Sequence, residues 1–173
     1  RGRLPVKHVM TLFKCVKESR VQQVLHALKY KQQPELGEML GRVYGSDLVE
    51  ANYKDSFDLI IPVPLHASRR RIRGYNQSEE FGKGLSQMLR IPCDDTFMVR
   101  SEKTETQTHK SKLSRWENVS RVFKVTNPEP IAHKRVLLVD DVVTTGATLE
   151  ACGQALLHSG CSELSIACIA ATQ

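Results

Sequence analysis

Cysteines at metal-binding spacing are missing from this sequence. The five that exist, Cys15, Cys93, Cys152, Cys161 and Cys168, are odd in number and form no CxxC pair. That excludes a zinc site built from these residues and argues against a disulfide framework. The thiols read as reduced, mostly core-packed side chains of a cytoplasmic protein. Aromatics are scarce, 6% with the single Trp116, and no helix-turn-helix, RNA-binding signature or aromatic–basic interleaving is visible. No apolar run is long enough to span a bilayer, so no membrane insertion is expected. No secretory signal opens the chain, which begins at Arg1 rather than Met, so an upstream segment or start residue is expected to be missing. Internal repeats, low-complexity stretches and interior linkers are also lacking. The six histidines, His8, His26, His66, His109, His133 and His158, show no helical ligand spacing.

What is present is enough chain, 173 residues, for one domain with a sizeable core. A net charge of +6 suggests an anionic partner, whether nucleic acid or phosphate metabolite, or nothing specific. Val21, Val24, Leu25 and Leu28 recur at helical spacing and predict a helix over 19–31, with Ser19 and Gln22 as a capping box. After Pro34 a second helix is predicted over 35–52 with Leu36, Met39, Leu40 and Val43 inward, although Gly41 and Gly45 weaken it. FDLIIPV (57–63) reads as a strand buried on both faces, followed by an arginine-dense loop. Asn76 caps the next helix, whose stripe is Phe81, Leu85, Met88 and Leu89.

Further strands are expected at 96–99, 121–125, 135–139 and 163–171, with a short capped helix starting near Ser114 and another helix over 148–159. Residues 100–112 have no hydrophobic period and read as an exposed, mobile loop. Aliphatic strands alternating with helices predict an α/β fold with a mostly parallel central sheet flanked by helices. The division expected is a small helical hood over 1–55 and a single α/β core over 56–173.

VLLVDDVVTTGATL (136–149) carries the chemistry. If 136–139 is a parallel strand, Asp140 and Asp141 lie at its carboxyl end, where open α/β sheets bind ligands. Thr144, Thr145, Gly146, Ala147 and Thr148 then turn into a helix, and successive backbone N–H groups at such a turn cradle a phosphate. The carboxylates repel phosphate but accept from sugar hydroxyls. An acid pair for a diol beside a cradle for an anion describes a site for a ribose 5-phosphate group. The competing reading is an exposed acidic turn before an ordinary helix start.

This stretch resembles the phosphoribosyl-diphosphate signature of type I phosphoribosyltransferases. PVPLHASRRRIRGYNQSE (62–79), HALKYKQQPELGEML (26–40) and the run containing Arg100, Thr104, Gln107, Leu113, Arg115, Asn118 and Phe123 are similar to the ComF (competence protein F) branch of that family. The family's usual four-cysteine zinc module has no counterpart, since no cysteine precedes Cys15.

The resemblance implies a diphosphate loop at Val63, Pro64, Leu65 and His66, extended by Arg71, Arg73 and Gly74. It also implies a catalytic loop over 100–115 with Lys103 and Arg115, and Mg²⁺ bound together with phosphoribosyl diphosphate. The function expected is transfer of the phosphoribosyl group to a nitrogen acceptor that the sequence does not identify, with Asp140 and Asp141 anchoring the ribose. Arg69, Arg70, Arg71 and Arg73 are also compatible with a solvated basic turn or a nucleic-acid patch. The alternative function is therefore a non-catalytic accessory in DNA uptake that senses a nucleotide, or binds single-stranded DNA or competence proteins.

Overall fold

The computed structural model describes residues 4–15, 19–101 and 122–172 of the chain. Its elements are β1 (Val9–Cys15), α1 (Arg20–Tyr30), α2 (Pro34–Glu50), β2 (Leu59–Pro62), α3 (Ala67–Arg73), α4 (Gln77–Leu89), β3 (Met98–Arg100), β4 (Phe123–Val125), β5 (Arg135–Val143), α5 (Ala147–His158) and β6 (Glu163–Thr172). Four strands form a parallel sheet in the order β1-β6-β5-β2, and β3 and β4 pair antiparallel beside it.

The sheet is apolar on both faces because successive side chains of its strands alternate between two helical layers. Ile60, Leu137, Val139, Ala167 and Ile169 pack with α1, α2 and α4. Leu59, Ile61, Val136, Leu138, Leu164, Ile166 and Cys168 pack with α5 and with Met98 and Phe123 of the small sheet. Cys152, Cys161 and Cys168 are buried free thiols, and Cys93 is half-buried with its thiol pushed up to about 12 by burial. They serve as small core side chains.

Three expectations are corrected. Residues 1–55 are not a purely helical hood: β1 pairs with β6 from Val9↔Ile166 to Cys15↔Thr172 and extends the central sheet. The buried face of α2 is not the aliphatic stripe. Met39 and Val43 are 46% and 49% exposed, while Gly37, Leu40, Gly41, Tyr44, Gly45 and Leu48 are buried. The glycines let α2 lie directly on α4: a Cβ on Gly41 would sit 2.2 Å from the Phe81 carbonyl oxygen, and one on Gly84 would sit 2.1 Å from that of Glu38. Finally, the arginine-dense segment is a helix, α3, capped by His66 at one end and by Gly74 at φ 84 at the other.

Asp58 ties the start of β2 to that of β5. Its Oδ2 accepts from the Arg135 backbone N–H (2.8 Å) and Nε (3.0 Å), and its Oδ1 accepts from the guanidinium at 2.7 Å. The Arg135 hydrogen bond holds the Asp58 carboxyl at about 2. A carboxyl depressed in the folded state stabilises above its unfolded value, and that contribution is lost as pH falls through the folded value. Asp58→Asn is therefore expected to lower the urea midpoint slightly at pH 7, the pair being partly exposed and screened. The difference from wild type should shrink as pH falls from about 4 toward 2; a difference that persists there would separate the loss from the charge.

Candidate active site

β5 runs past its neighbour β2 while staying paired with β6 to Val143, so its last residues have no strand on the β2 side. β2 ends at Pro62, level with Val139, and the next two residues of β5 are Asp140 and Asp141. Burial and the neighbouring Asp141 raise the Asp140 carboxyl well above the ordinary carboxylate range. Asp140 Oδ1 accepts from Ser78 Oγ (2.9 Å) and from the Asp141 N–H (2.8 Å). Asp141 Oδ2 accepts from Gln77 Nε2 (3.1 Å) and faces Lys29 Nζ at 3.2 Å.

The acids are thus held by three residues from two other elements, α4 and α1. Asn76, Gln77 and Ser78 are buried at the start of α4. Asn76 Oδ1 caps the helix by accepting from the Ser78 N–H, and its Nδ2 donates to the Val63 carbonyl at 3.0 Å. Gln77 Oε1 is buried without a hydrogen-bond partner among the described residues, an unmet acceptor that a ligand can satisfy.

The turn expected to cradle a phosphate comes next along the chain. Gly146 takes φ 79 as the N-cap of α5, a backbone that favours glycine, and its Cβ position opens onto empty space. The Ala147 N–H donates to Thr145 Oγ1 at 3.4 Å. The N–H groups of Thr144, Thr145, Gly146 and Thr148 find no acceptor among the described residues. Residues 142–149 and Asp140 line a small concavity of about 40 Å³.

The diphosphate prediction divides. Val63 is buried; its N–H donates to Val139 O and its carbonyl accepts from Asn76, so its backbone is spent within the fold. Pro64 has no N–H. The N–H groups of Leu65 and His66 have no acceptor among the described residues, leaving two adjacent donors at the end of β2. His66 Nδ1 accepts from the Ser68 N–H at 3.2 Å, which leaves the ring's proton on Nε2. Arg71 is exposed on α3.

Arg73 lies over the Tyr30 ring at 5.9 Å and shares a cavity wall with Lys29 and Arg69. Gly74 serves as the C-cap of α3. Lys103 and Arg115, with Trp116 and the helix expected near Ser114, lie outside the described residues.

Lys29, Gln77 and Ser78 were not predicted as site residues. Gln77 and Ser78 follow RGYN directly, and that adjacency was the available signal; nothing in the sequence of α1 links Lys29 to an acid more than a hundred residues away.

Comparison with known proteins identifies a family. A family model described as a phosphoribosyl transferase domain matches residues 76–173. The DNA utilization protein YhgH of Escherichia coli K12 is 30% identical over 152 residues, covering 86% of this chain and 66% of that protein. Competence protein F of Haemophilus influenzae is 36% identical over 110 residues, covering 63% of this chain and 48% of that protein. Competence protein ComFC of Bacillus subtilis is 30% identical, covering 62% of this chain and 42% of that protein. The chain thus spans two thirds or less of the length of these relatives.

Among solved structures, the glutamine phosphoribosylpyrophosphate amidotransferase of B. subtilis superposes with a TM-score of 0.51 at 19% identity, over 79% of this chain and 26% of that one. At that identity the likeness concerns the fold. The chain belongs to the phosphoribosyltransferase family, in the ComF branch of its type I members.

Proposed function

We propose that the protein binds 5-phosphoribosyl 1-diphosphate and transfers its phosphoribosyl group to a nitrogen nucleophile. The observation that supports this best is the juxtaposition, along one continuous segment, of two braced carboxylates and a turn with free N–H groups. The turn at 144–148 takes the 5-phosphate, Asp140 and Asp141 take the ribose hydroxyls, and the N–H groups of Leu65 and His66 face the diphosphate. In the reaction the bond from ribose C1 to the diphosphate oxygen breaks and a C1–N bond forms. The protein's part is to position the ribose and to stabilise the leaving charge.

Two hard carboxylates beside a phosphate-rich ligand fit Mg²⁺, which binds through one or two carboxylates plus substrate oxygens. When bound it would neutralise the diphosphate, with Asp140 and Asp141 as the nearest protein oxygens.

Calorimetric titration of the donor with Mg²⁺ should give micromolar binding by the wild type. It should be weakened at least about tenfold in Gly146→Ala, because the added Cβ strains a left-handed backbone by about 1–2 kcal/mol and enters ligand space. A folded wild type that does not bind the donor would overturn this reading.

The names of the relatives support a role connected with DNA uptake or use. Among the described residues no helix is long and apolar enough to cross a membrane. The exposed arginines of α3 support a second reading, a non-catalytic module that binds single-stranded DNA. A steep log–log dependence of DNA affinity on salt, unaffected by the donor, would favour that module over the enzyme.

A further inference from the structure

A cavity of about 430 Å³ lies between the end of α1 and α3, lined by Lys29, Tyr30, Gln32, Arg69, Ile72 and Arg73. That is the size of a small-molecule site. Its walls combine three cations with two large exposed side chains, Tyr30 at 66% and Ile72 at 83% exposure. Arg73 holds the face of the Tyr30 ring, and His26 tilts against the same ring at 4.8 Å. Arg69 and Arg73 have no carboxylate partner among the described residues, although Arg70, between them in sequence, pairs with Glu79 and Asp95. The third cation, Lys29, reaches Asp141 at 3.2 Å, so one wall of the cavity touches the acid pair.

From this juxtaposition we infer that the cavity is the acceptor site, and that the acceptor is a flat nitrogen compound carrying an anionic group, a carboxylate or phosphate. The inference rests on the transferase reading for the role but not for the binding. Tyr30 and Ile72 supply flat and apolar surface, and Arg69 and Arg73 supply forked donors for the anion. An anion brought beside two carboxylates needs a cation between them, and Lys29 stands there. The donor's own anionic groups are met elsewhere, at 144–148 and at the N–H groups after β2, which leaves the cations of the cavity to a second ligand. Arg73 is thereby reassigned from the diphosphate to the acceptor.

The test uses 2-aminobenzoate, a planar nitrogen nucleophile with one carboxylate, against aniline, the same ring and nitrogen without the charge. Binding is followed by the fluorescence of the probe and by saturation-transfer NMR. The wild type should bind 2-aminobenzoate and not aniline, with or without the donor. Arg69→Ala and Arg73→Ala should each weaken that binding about tenfold, the loss of one charge-assisted hydrogen bond, while leaving donor affinity within about twofold.

Equal binding of aniline, or no binding of 2-aminobenzoate, overturns the inference. So does competitive displacement by inorganic diphosphate together with loss of donor affinity in both arginine variants, which assigns the cavity to the leaving group. Binding of 2-aminobenzoate by a wild type that does not bind the donor sinks the transferase reading and leaves an anion site without that role.

Discussion

Gly84→Ala should lower the melting temperature by roughly 4–8 °C, or prevent folding, although alanine is the better helix former. The two effects oppose each other, and their sizes decide the sign. Replacing glycine by alanine inside a helix gains up to about 1 kcal/mol. Against that, a Cβ at Gly84 would lie 2.1 Å from the Glu38 carbonyl oxygen, 2.7 Å from the Arg42 nitrogen and 2.7 Å from the Gly41 Cα. All three are backbone atoms of α2, so no rotamer change relieves the overlap. The helices must move apart, loosening Phe81 and Leu85, which are fully buried beneath the contact.

Overpacking of this kind costs about 3 kcal/mol at the upper end of its usual range, and each kcal/mol is worth about 2–4 °C in a chain of this size. Gly37→Ala is the control. Its Cβ would meet Glu80 Cβ at 2.9 Å and Leu28 Cδ1 at 3.2 Å; Glu80 Cβ moves only with its backbone, but this overlap is shallower than the 2.1 Å approach at Gly84, so a smaller change is expected. Equal melting temperatures for Gly84→Ala and wild type would mean that α2 and α4 do not approach as closely as described.

Asp140→Asn should move stability and ligand affinity in opposite directions. The wild-type carboxyl is raised by burial first and by Asp141 second. A carboxyl raised in the folded state favours folding below its unfolded value, and that advantage is lost as pH rises through the folded value. At pH 7 the charged pair is therefore a liability to the empty protein. Asparagine keeps an acceptor for Ser78 and for the Asp141 N–H but removes the charge.

Thermal unfolding at pH 7 should show a gain on the order of 1 kcal/mol, about 2–4 °C, that disappears below about pH 4. On the proposed reading donor affinity should fall at least about tenfold, because an acid placed to accept from a ribose hydroxyl would be replaced by a weaker acceptor. A variant both less stable and fully competent to bind would show that Asp140 serves the fold rather than the ligand. Stability given up at a site in exchange for function is the general expectation for buried like charges.

The sequence revealed these features unevenly, for reasons particular residues make plain. β5 and β6 were legible because a strand buried on both faces is apolar at nearly every buried position, Ser165 being the exception in β6. β1 was not, since an edge strand with Val9 exposed and Lys14 pointing to solvent carries no continuous run. Hydrophobic periodicity gives glycine no weight and so misplaces the face of α2, where Gly37, Gly41 and Gly45 belong to the packing surface. α3 offered no apolar stripe; His66 and Gly74 delimit it instead.

Asp140, Asp141 and residues 144–148 stand out in the sequence as a candidate site because they are consecutive, as chain-local chemistry is. The contributions of Lys29, Gln77 and Ser78 depend on α1 and α4 being folded against β5, and no spacing rule conveys that.

The pairing of β1 with β6 has a consequence for synthesis. Val9 meets Ile166, so the first strand waits for more than a hundred and fifty residues before its hydrogen-bonding partner exists. At ribosomal rates that is on the order of 10–30 s. During that interval α2 and α4 can already dock through their glycine contact and β2 can pair with β5, while β1 trails with both edges open. β6, made after the other described strands, therefore completes the sheet from within, and its synthesis sets the moment at which β1 is protected from pairing with another chain.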